Sequence, residues 1–191
     1  MLAEYQITLS PQTIDNAEPP AKAVLEKALA QVGFIPNMYA RMVHSPGLLE
    51  TYLGGYAAFR NDSGFTPQEQ EVVFLAISRE NGCEYCVSAH SMLADMQSKV
   101  PTEVTNAIRA GTPIPDKKLA ALAKFTRVMV ASRGLPAQAD VQAFLAAGYS
   151  ERQILEIVLA IAVKTLSNYA NHLFHTPLDA MFESRRWTAP A

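Results

Sequence analysis

The stretch from Glu71 to His90, EVVFLAISRENGCEYCVSAH, limits what this chain can fold into more than any other part of it. It contains both cysteines of the 191-residue chain, Cys83 and Cys86, in a C-x-x-C spacing. Thr66-Pro67 precedes it with the spacing of a helix-capping box, and the apolar run VVFLAI follows Glu71. We therefore predict a helix that carries Glu71, followed by a second helix that begins at the cysteines.

Cys83, Cys86 and His90 stand at positions i, i+3 and i+7, which places them within roughly a 60° sector of one helix face. A disulfide between residues i and i+3 at a helix start is sterically possible and easily cycled. The unpaired N–H groups and the positive dipole end of a helix N-terminus favour thiolate over thiol. The pattern therefore predicts a redox-active cysteine pair, with His90 able to take or return a proton.

Glu71 can join these residues only if the chain turns sharply. On one straight helix it would lie about 18 Å from Cys83, because an α-helix rises about 1.5 Å per residue. Asn81-Gly82 is the place where such a turn is expected. Beside the apolar run Glu71 is expected to be partly buried, and burial is expected to raise the pKa of its carboxyl and suit it to proton transfer.

The rest of the chain has helical periodicity from Pro20 onward, broken by turn signals. We predict an all-α fold of about ten helices, in which Ser150 caps one helix and the last runs over about Ser167–Glu183. Residues 1–19 are predicted to be an N-terminal arm, and residues 20–191 a single helical domain. The arm could lie across its own chain or across a neighbouring subunit.

A weak internal repeat relates residues 66–90 to residues 151–175. It aligns Glu71 with Glu156, and a histidine closes each segment. Each segment is interpreted as a glutamate that heads an apolar helix, a break, and the closing histidine. This indicates two related helical units about a pseudo-twofold axis, of which only the first carries cysteines.

The composition excludes several classes of protein. A hydrophobic content of 49% and a charged content of 18% fit a globular chain, and a net charge of −2 gives no reason to expect nucleic acid or a membrane surface as partner. The first ten residues have neither the basic start nor the apolar core of a secretory signal, so a reducing cytoplasm is the expected location. There a C-x-x-C pair is more often redox-active or metal-binding than structural.

Alternatives to a redox site remain at this stage. The two cysteines could be small buried hydrophobic residues, or they could bind zinc with His90, although zinc needs a fourth ligand and the chain has no second C-x-x-C. Glu71 could be a solvated helix residue. Four polar residues of the second unit are interpreted as structural rather than catalytic: Asn168, Asn171, His172 and His175.

The order of Glu71, eleven residues, Cys83-x-x-Cys86, three residues and His90 resembles the core motif of the AhpD-like (alkyl hydroperoxide reductase D) group. That group belongs to the carboxymuconolactone decarboxylase superfamily. The resemblance extends over about residues 20–184, because NYANHLFHTPLD is similar to the closing helix of the group's peroxidase-related branch.

The resemblance implies an all-helical fold, homo-oligomers such as dimers, trimers or hexamers, and cofactor-free reduction of peroxides by thiols. It implies that Cys86 attacks the peroxide, that Cys83 resolves the sulfenic acid to a disulfide, and that Glu71 and His90 form the proton relay. In the best-known members a histidine stands just before the second cysteine, where this chain has Tyr85.

The expected function is therefore that of a thiol peroxidase acting on hydrogen peroxide or organic hydroperoxides. An external dithiol or a thioredoxin-like partner is expected to reset the disulfide. Two other functions remain open: a lyase of the carboxymuconolactone decarboxylase type, which needs no cysteine, and a non-enzymatic zinc-binding or redox-sensing module.

Overall fold

The computed structural model describes residues 2–190, which form nine α-helices, one π-helical turn and one 3-10 helix. The α-helices are α1 (Pro19–Val32), α2 (Asn37–Met42), α3 (Pro46–Asp62), α4 (Pro67–Glu80), α5 (Glu84–Leu93), α6 (Thr102–Ala110), α7 (Lys117–Ala131), α8 (Gln138–Ala146) and α9 (Glu151–Phe174). The π-helical turn Ala94–Ser98 follows α5, and the 3-10 helix is Ala180–Arg185. No strand occurs within residues 2–190, so the predicted all-α fold of about ten helices is confirmed.

Helix α4 is the centre of the fold. Every residue from Glu69 to Ser78 is buried, and α4 packs against α5, α6, α7 and α9. Its start is fixed by Thr66, whose side chain accepts from the Glu69 N–H while the Glu69 carboxylate accepts from the Thr66 N–H. The predicted capping box is therefore present, and it sets the register that places Glu71 inside the protein.

The predicted turn between α4 and α5 lies at Asn81-Gly82. The Asn81 N–H still bonds to the carbonyl of Ile77, but Gly82 adopts a left-handed conformation with φ of 67°. The Cys83 N–H then donates back to the carbonyl of Ser78 at 2.9 Å. This reversal lets α5 pack against α4, so that Glu71 faces the residues that follow the turn.

Helix α9 corrects the prediction for the C-terminal part. The chain contains neither glycine nor proline from Glu151 to Phe174, and α9 runs through Ser167 without interruption. The separate helix predicted over Ser167–Glu183 and the break predicted within residues 151–175 are therefore wrong. Helix α9 ends at Phe174, its C-cap residue His175 has a left-handed backbone conformation, and within the described residues only the short 3-10 helix follows. None of the described helices combines the length and apolar composition that a membrane span needs.

The N-terminal arm lies on its own chain. The Ala3 and Ile7 N–H groups donate to carbonyls at the end of α9, and the Gln12 N–H donates to the Ala40 carbonyl in α2. His175 Nε2 lies 2.7 Å from the Ala3 carbonyl oxygen. These contacts place the described part of the arm beside the C-terminal end of α9.

The C-terminal segment, residues 176–190, also packs on α5. Asp179 accepts a hydrogen bond from the Tyr85 hydroxyl, and the buried Trp187 donates from its indole N–H to the Arg109 carbonyl at 3.0 Å. The Trp187 backbone N–H donates to Ser88 Oγ at 2.9 Å. The first turns of α5 are therefore enclosed between α4, α9 and this segment.

The left-handed turn gives a prediction for stability. We expect Gly82→Ala to lower the free energy of unfolding by about 1–2 kcal/mol, because a Cβ at positive φ meets the following carbonyl. Gly54 in α3 is the matched control: it is exposed, with open space around its Cα, so Gly54→Ala should raise that free energy by about 0.5–1 kcal/mol. Urea unfolding followed by circular dichroism measures both, and equal effects of the same sign would contradict the role of the turn.

Candidate active site

Glu71 and His90 are in contact, although they are 19 positions apart in the sequence. The sequence predicts that they can meet only if the chain turns sharply between α4 and α5. His90 Nδ1 lies 2.8 Å from Glu71 Oε2, and both side chains are buried. A nitrogen that faces a carboxylate carries the proton, so Nδ1–H is the donor and Nε2 is left as the acceptor. Arg60 of α3 donates to the other oxygen of Glu71.

The pKa of Glu71 does not follow the expectation drawn from the sequence. Burial raises the pKa of this carboxyl, but His90 and Arg60 together lower it by more than burial raises it, so the pKa lies below its ordinary value. The prediction of a raised pKa is therefore wrong, because it counted burial without the two side chains that donate hydrogen bonds to this carboxylate. Glu71 is a carboxylate at neutral pH and orients His90 rather than holding a proton.

The second nitrogen of His90 faces a lysine. Lys164 Nζ, on α9, lies 2.9 Å from His90 Nε2, and Lys164 is completely buried. Burial and the Lys164 ammonium lower the pKa of His90 more than Glu71 raises it. The imidazole is therefore neutral at pH 7 and accepts a hydrogen bond from Lys164, which completes a buried chain from Glu71 through His90 to Lys164.

The two cysteines lie at the start of α5, as predicted. Cys83 is the N-cap residue, Cys86 is in the first turn, and both are free cysteines buried in the protein. The Asn171 side-chain amide donates to Cys86 Sγ at 3.4 Å and to Cys83 Sγ at 3.9 Å. Ser167 Oγ also lies 3.9 Å from Cys86 Sγ. Helix α9 thus supplies polar contacts to both sulfur atoms.

The surroundings of the two thiols separate their acidities. Burial raises the pKa of Cys86, but a hydrogen bond from Cys83 and the nearby Lys164 ammonium outweigh it, and the pKa lies well below its ordinary value. Burial and the negative charge of Cys86 raise the pKa of Cys83 well above its ordinary value. Cys86 is therefore the thiolate of the pair and Cys83 the thiol.

Tyr85, in the position where the best-known AhpD-like proteins have histidine, points away from this network. Its hydroxyl donates to Asp179, which also accepts from the Asn37 N–H. Burial and Asp179 raise the pKa of Tyr85, so the phenol keeps its proton. Tyr85 is therefore a neutral side chain that its hydrogen bond to Asp179 holds in place.

A cavity of about 400 Å³ opens onto Cys86, and we call it the Cys86 cavity. His90 and Lys164 line it beside Cys86, while Cys83 does not. The remaining wall is mostly aromatic or thioether: Phe34, Met38, Tyr39, Tyr52, Tyr56, Tyr85, Met181 and Phe182. A thiolate, a buried ammonium and a neutral imidazole therefore meet at the base of a cavity that suits an apolar molecule.

The geometry argues against the zinc alternative. Within residues 2–190 no three His, Cys, Asp or Glu side chains converge as a metal-binding group. Both ring nitrogens of His90 are also occupied, one by Glu71 and the other by Lys164. His90 therefore has no lone pair left to complete a site with the cysteines.

Sequence reasoning missed three residues of this site: Arg60, Lys164 and Asn171. From the sequence Asn171 is expected to be structural, yet in the structure it contacts both sulfur atoms. Lys164 carried a signal, because it is a single charge within the apolar run IVLAIAVKTL of α9. A lysine at such a position is almost never buried without a partner, but the sequence does not show which partner it has.

Comparisons with known proteins agree with the motif. The Carboxymuconolactone decarboxylase family model matches residues 46–127, which include α3, α4 and α5. No curated protein matches the chain in sequence.

Solved structures share the fold over nearly the whole chain. An alkylhydroperoxidase AhpD core described as an uncharacterized peroxidase-related protein from Ralstonia eutropha JMP134 is 21% identical, with a TM-score of 0.77 over 91% of this chain and 93% of that chain. A variant of the debrominase Bmp8 in complex with 2,3,4-tribromopyrrole is 18% identical, with a TM-score of 0.75 over 94% and 96%. An uncharacterized peroxidase-related protein from Silicibacter sp. TM1040 is 17% identical, with a TM-score of 0.73 over 94% and 97%. At these identities the likeness establishes the AhpD-like fold.

Lys164 gives the prediction of this subsection. We expect Lys164→Met to raise the pKa of the Cys86 thiol, because the ammonium that stabilises its thiolate is removed. At neutral pH the rate of Cys86 alkylation by iodoacetamide should fall about tenfold or more, since only the thiolate reacts. The exposed Lys22 on α1 is the control, and Lys22→Met should leave the pH–rate curve unchanged. A curve for Lys164→Met that overlays the wild type would rule out Lys164 as the stabilising cation.

Proposed function

Because the chain is an AhpD-like member of the carboxymuconolactone decarboxylase superfamily, we propose that it is a cytoplasmic thiol peroxidase that reduces hydrogen peroxide or organic hydroperoxides. The observation that carries the proposal is the Cys86 thiolate at the base of the Cys86 cavity, next to His90 and Lys164. A stabilised thiolate is the nucleophile that peroxide reduction needs, and a nearby ammonium is the acid that the departing oxygen needs.

In the first step the Cys86 thiolate attacks the terminal oxygen of the hydroperoxide. The O–O bond breaks, Cys86 becomes a sulfenic acid, and the departing alkoxide takes a proton from the Lys164 ammonium to leave as an alcohol. His90, held by Glu71, accepts a hydrogen bond from Lys164 and keeps the Lys164 amino group directed at the cavity. Glu71 and His90 are therefore positioning residues, and Lys164 is the proton donor of this relay.

In the second step the Cys83 sulfur attacks the sulfenic acid. The Cys83 proton leaves with the hydroxyl group as water, and a disulfide joins Cys83 to Cys86. Lys164 is left neutral until a reducing thiol restores the pair and returns the proton. The net reaction consumes one hydroperoxide and two external thiol groups and gives an alcohol, water and one external disulfide.

The size and lining of the cavity favour an organic hydroperoxide. A volume of about 400 Å³ lies within the range of about 300–1,000 Å³ that is typical of pockets for organic ligands. The aromatic and methionine side chains around it would bury an alkyl or aryl group by the hydrophobic effect. We therefore propose that larger apolar hydroperoxides are better substrates than hydrogen peroxide.

Homo-oligomerisation remains part of the proposal. Leu155, Val158 and Tyr169 of α9 are large apolar side chains that are about half exposed or more. An apolar row of this kind on a long helix supports association with another copy of the chain. The proposal also includes an external thiol or dithiol that resets the disulfide.

The two cysteines give a test with opposite outcomes for the two variants. Cys86→Ser should abolish consumption of cumene hydroperoxide, because the nucleophile is lost. Cys83→Ser should still consume about one equivalent and stop at a Cys86 sulfenic acid, since the resolving thiol is lost. Peroxide assay and dimedone labelling with mass spectrometry measure both results. Unchanged turnover in Cys86→Ser would sink the assignment.

Reductive dehalogenation is a second candidate, favoured by the aromatic lining of the Cys86 cavity. The debrominase Bmp8, in complex with 2,3,4-tribromopyrrole, has the same fold. In this reaction the Cys86 thiolate would take bromine from carbon, which receives a proton, and leave a sulfenyl bromide. Cys83 would then displace bromide to form the disulfide, so that the organic bromide is reduced and the thiol pair oxidised.

A comparison of the rates with the two substrates distinguishes these candidate functions. We expect the reduced protein to consume cumene hydroperoxide at least about tenfold faster than it releases bromide from tribromopyrrole, because Lys164 lines the same cavity as Cys86 and could protonate a departing alkoxide. Stopped-flow peroxide assay and ion chromatography of bromide measure the two rates. Faster release of bromide would transfer the assignment to dehalogenation.

The site supports the decarboxylase-type lyase less well. Such a reaction needs general acid–base groups at a substrate carbon, whereas here a thiolate is the nucleophile at the base of the cavity. Decarboxylation of a lactone by a protein that carries both Cys83→Ser and Cys86→Ser would favour the lyase instead.

A further inference from the structure

A second cavity opens on the other side of Tyr85. We propose that this cavity admits the reductant, a small hydrophilic thiol that bears amide or ammonium groups, and that the thiol attacks Cys83 rather than Cys86. The inference rests on the proposed function, because it concerns the step that resets the disulfide. It adds a binding site and a chemical class of reductant.

The second cavity, here called the Cys83 cavity, has a volume of about 390 Å³. Cys83 lines it and Cys86 does not, which is the reverse of the Cys86 cavity. Tyr85 lines both cavities and forms the wall between them, held by its hydrogen bond to Asp179. Each sulfur atom of the pair is therefore reached from a different side of the protein.

The Cys83 cavity is polar where the Cys86 cavity is aromatic. Asn171, His172 and Thr176 line it, and each has a buried side-chain atom without a hydrogen-bond partner in the described part of the chain. These atoms are Asn171 Oδ1, His172 Nε2 and Thr176 Oγ1. A carbonyl oxygen such as Asn171 Oδ1 can only accept, so a ligand that satisfies it must bring an N–H or O–H donor.

This pattern of groups selects the class of reductant. A cysteinyl peptide such as glutathione carries amide N–H and ammonium donors close to its thiol, and it is small enough for a cavity of about 390 Å³. Burial lowers the pKa of His172, so its imidazole is neutral at pH 7 and able to take the proton of an incoming thiol. A purely apolar thiol would leave all three atoms unsatisfied.

The chemistry of thiol–disulfide exchange also favours attack on the sulfur of Cys83. In thiol–disulfide exchange the thiol with the lower pKa is the better leaving group, and here that thiol is Cys86. Attack on Cys83 forms a mixed disulfide there and releases Cys86 as the thiolate that Lys164 and Asn171 stabilise. A second thiol then attacks the external sulfur of the mixed disulfide, frees Cys83 as a thiol and leaves as the oxidised external disulfide.

Two cavities allow the half-reactions to be measured and blocked separately. The disulfide form can be made with diamide and its reduction by glutathione followed directly, without any peroxide. Oxidation of the reduced form by cumene hydroperoxide is then followed in a separate experiment. A failure of the reductive step therefore tests the Cys83 cavity, while a failure of the oxidative step tests the proposed peroxidase function.

We expect Thr176→Trp, which fills the Cys83 cavity, to slow reduction by glutathione at least about tenfold and to change oxidation by no more than about twofold. Met181→Trp, at a half-exposed position of the Cys86 cavity, should slow oxidation by cumene hydroperoxide and leave reduction by glutathione nearly unchanged. Thr112→Trp, at an exposed position in neither cavity, is the control for bulk. Thr176→Val removes only the hydroxyl and should slow reduction by glutathione, which keeps the test valid if the tryptophan variant does not fold.

The chemical class has its own test. Glutathione should reduce the wild-type disulfide faster than ethanethiol at equal thiolate concentration, and Thr176→Val should narrow that difference. The proposal is overturned if Thr176→Trp folds and is reduced at the wild-type rate, if Met181→Trp slows reduction as much as Thr176→Trp does, or if only a thioredoxin-like protein reduces the disulfide. Trapping of a stable glutathione adduct on Cys86 instead of Cys83 would also overturn it.

Discussion

The structure depends on a buried network in which opposite charges are matched. Glu71 and the Cys86 thiolate supply two negative charges, and Arg60 and Lys164 supply two positive charges around the neutral His90. An unpaired buried charge costs several kcal/mol, so each of these groups holds the others in their charged form. The guanidinium of Arg60 also lies 4.9 Å from the ring centres of Tyr56 and Phe74, which offsets part of its loss of water.

This balance links the chemistry to proton transfer. In the proposed peroxidase reaction, conversion of Cys86 to a sulfenic acid removes one negative charge from the surroundings of the buried Lys164. In that proposal Lys164 gives a proton to the departing oxygen, so the numbers of buried positive and negative charges stay equal. His90 can then stabilise the neutral amine through the same hydrogen bond, because its Nε2 is held in place by Glu71 at Nδ1.

Much of the fold and half of the site could be predicted from local spacing. The capping box at Thr66, the turn at Asn81-Gly82 and the face shared by Cys83, Cys86 and His90 are short-range features, and helix geometry determines them. Lys164 and Asn171 come from a helix about eighty residues further along the chain, and only the packing of α9 on α5 brings them to the thiols. The wrong sign for the pKa of Glu71 has a different origin: Arg60 belongs to α3, and only the packing of α3 beside α4 shows that it donates to this carboxylate.

The replacement of the family histidine by Tyr85 has a consequence for the relay. An imidazole beside the second cysteine can exchange protons near neutral pH, whereas the raised pKa of Tyr85 and its bond to Asp179 keep the phenol protonated and immobile. In the proposed reaction, proton exchange at Cys86 comes instead from the α9 side, where Lys164 contacts His90. Tyr85 also lines both cavities and lies between the aromatic cavity at Cys86 and the polar cavity at Cys83. In the proposed reaction Tyr85 therefore leaves proton transfer at Cys86 to Lys164 and separates the peroxide side of the disulfide from the thiol side.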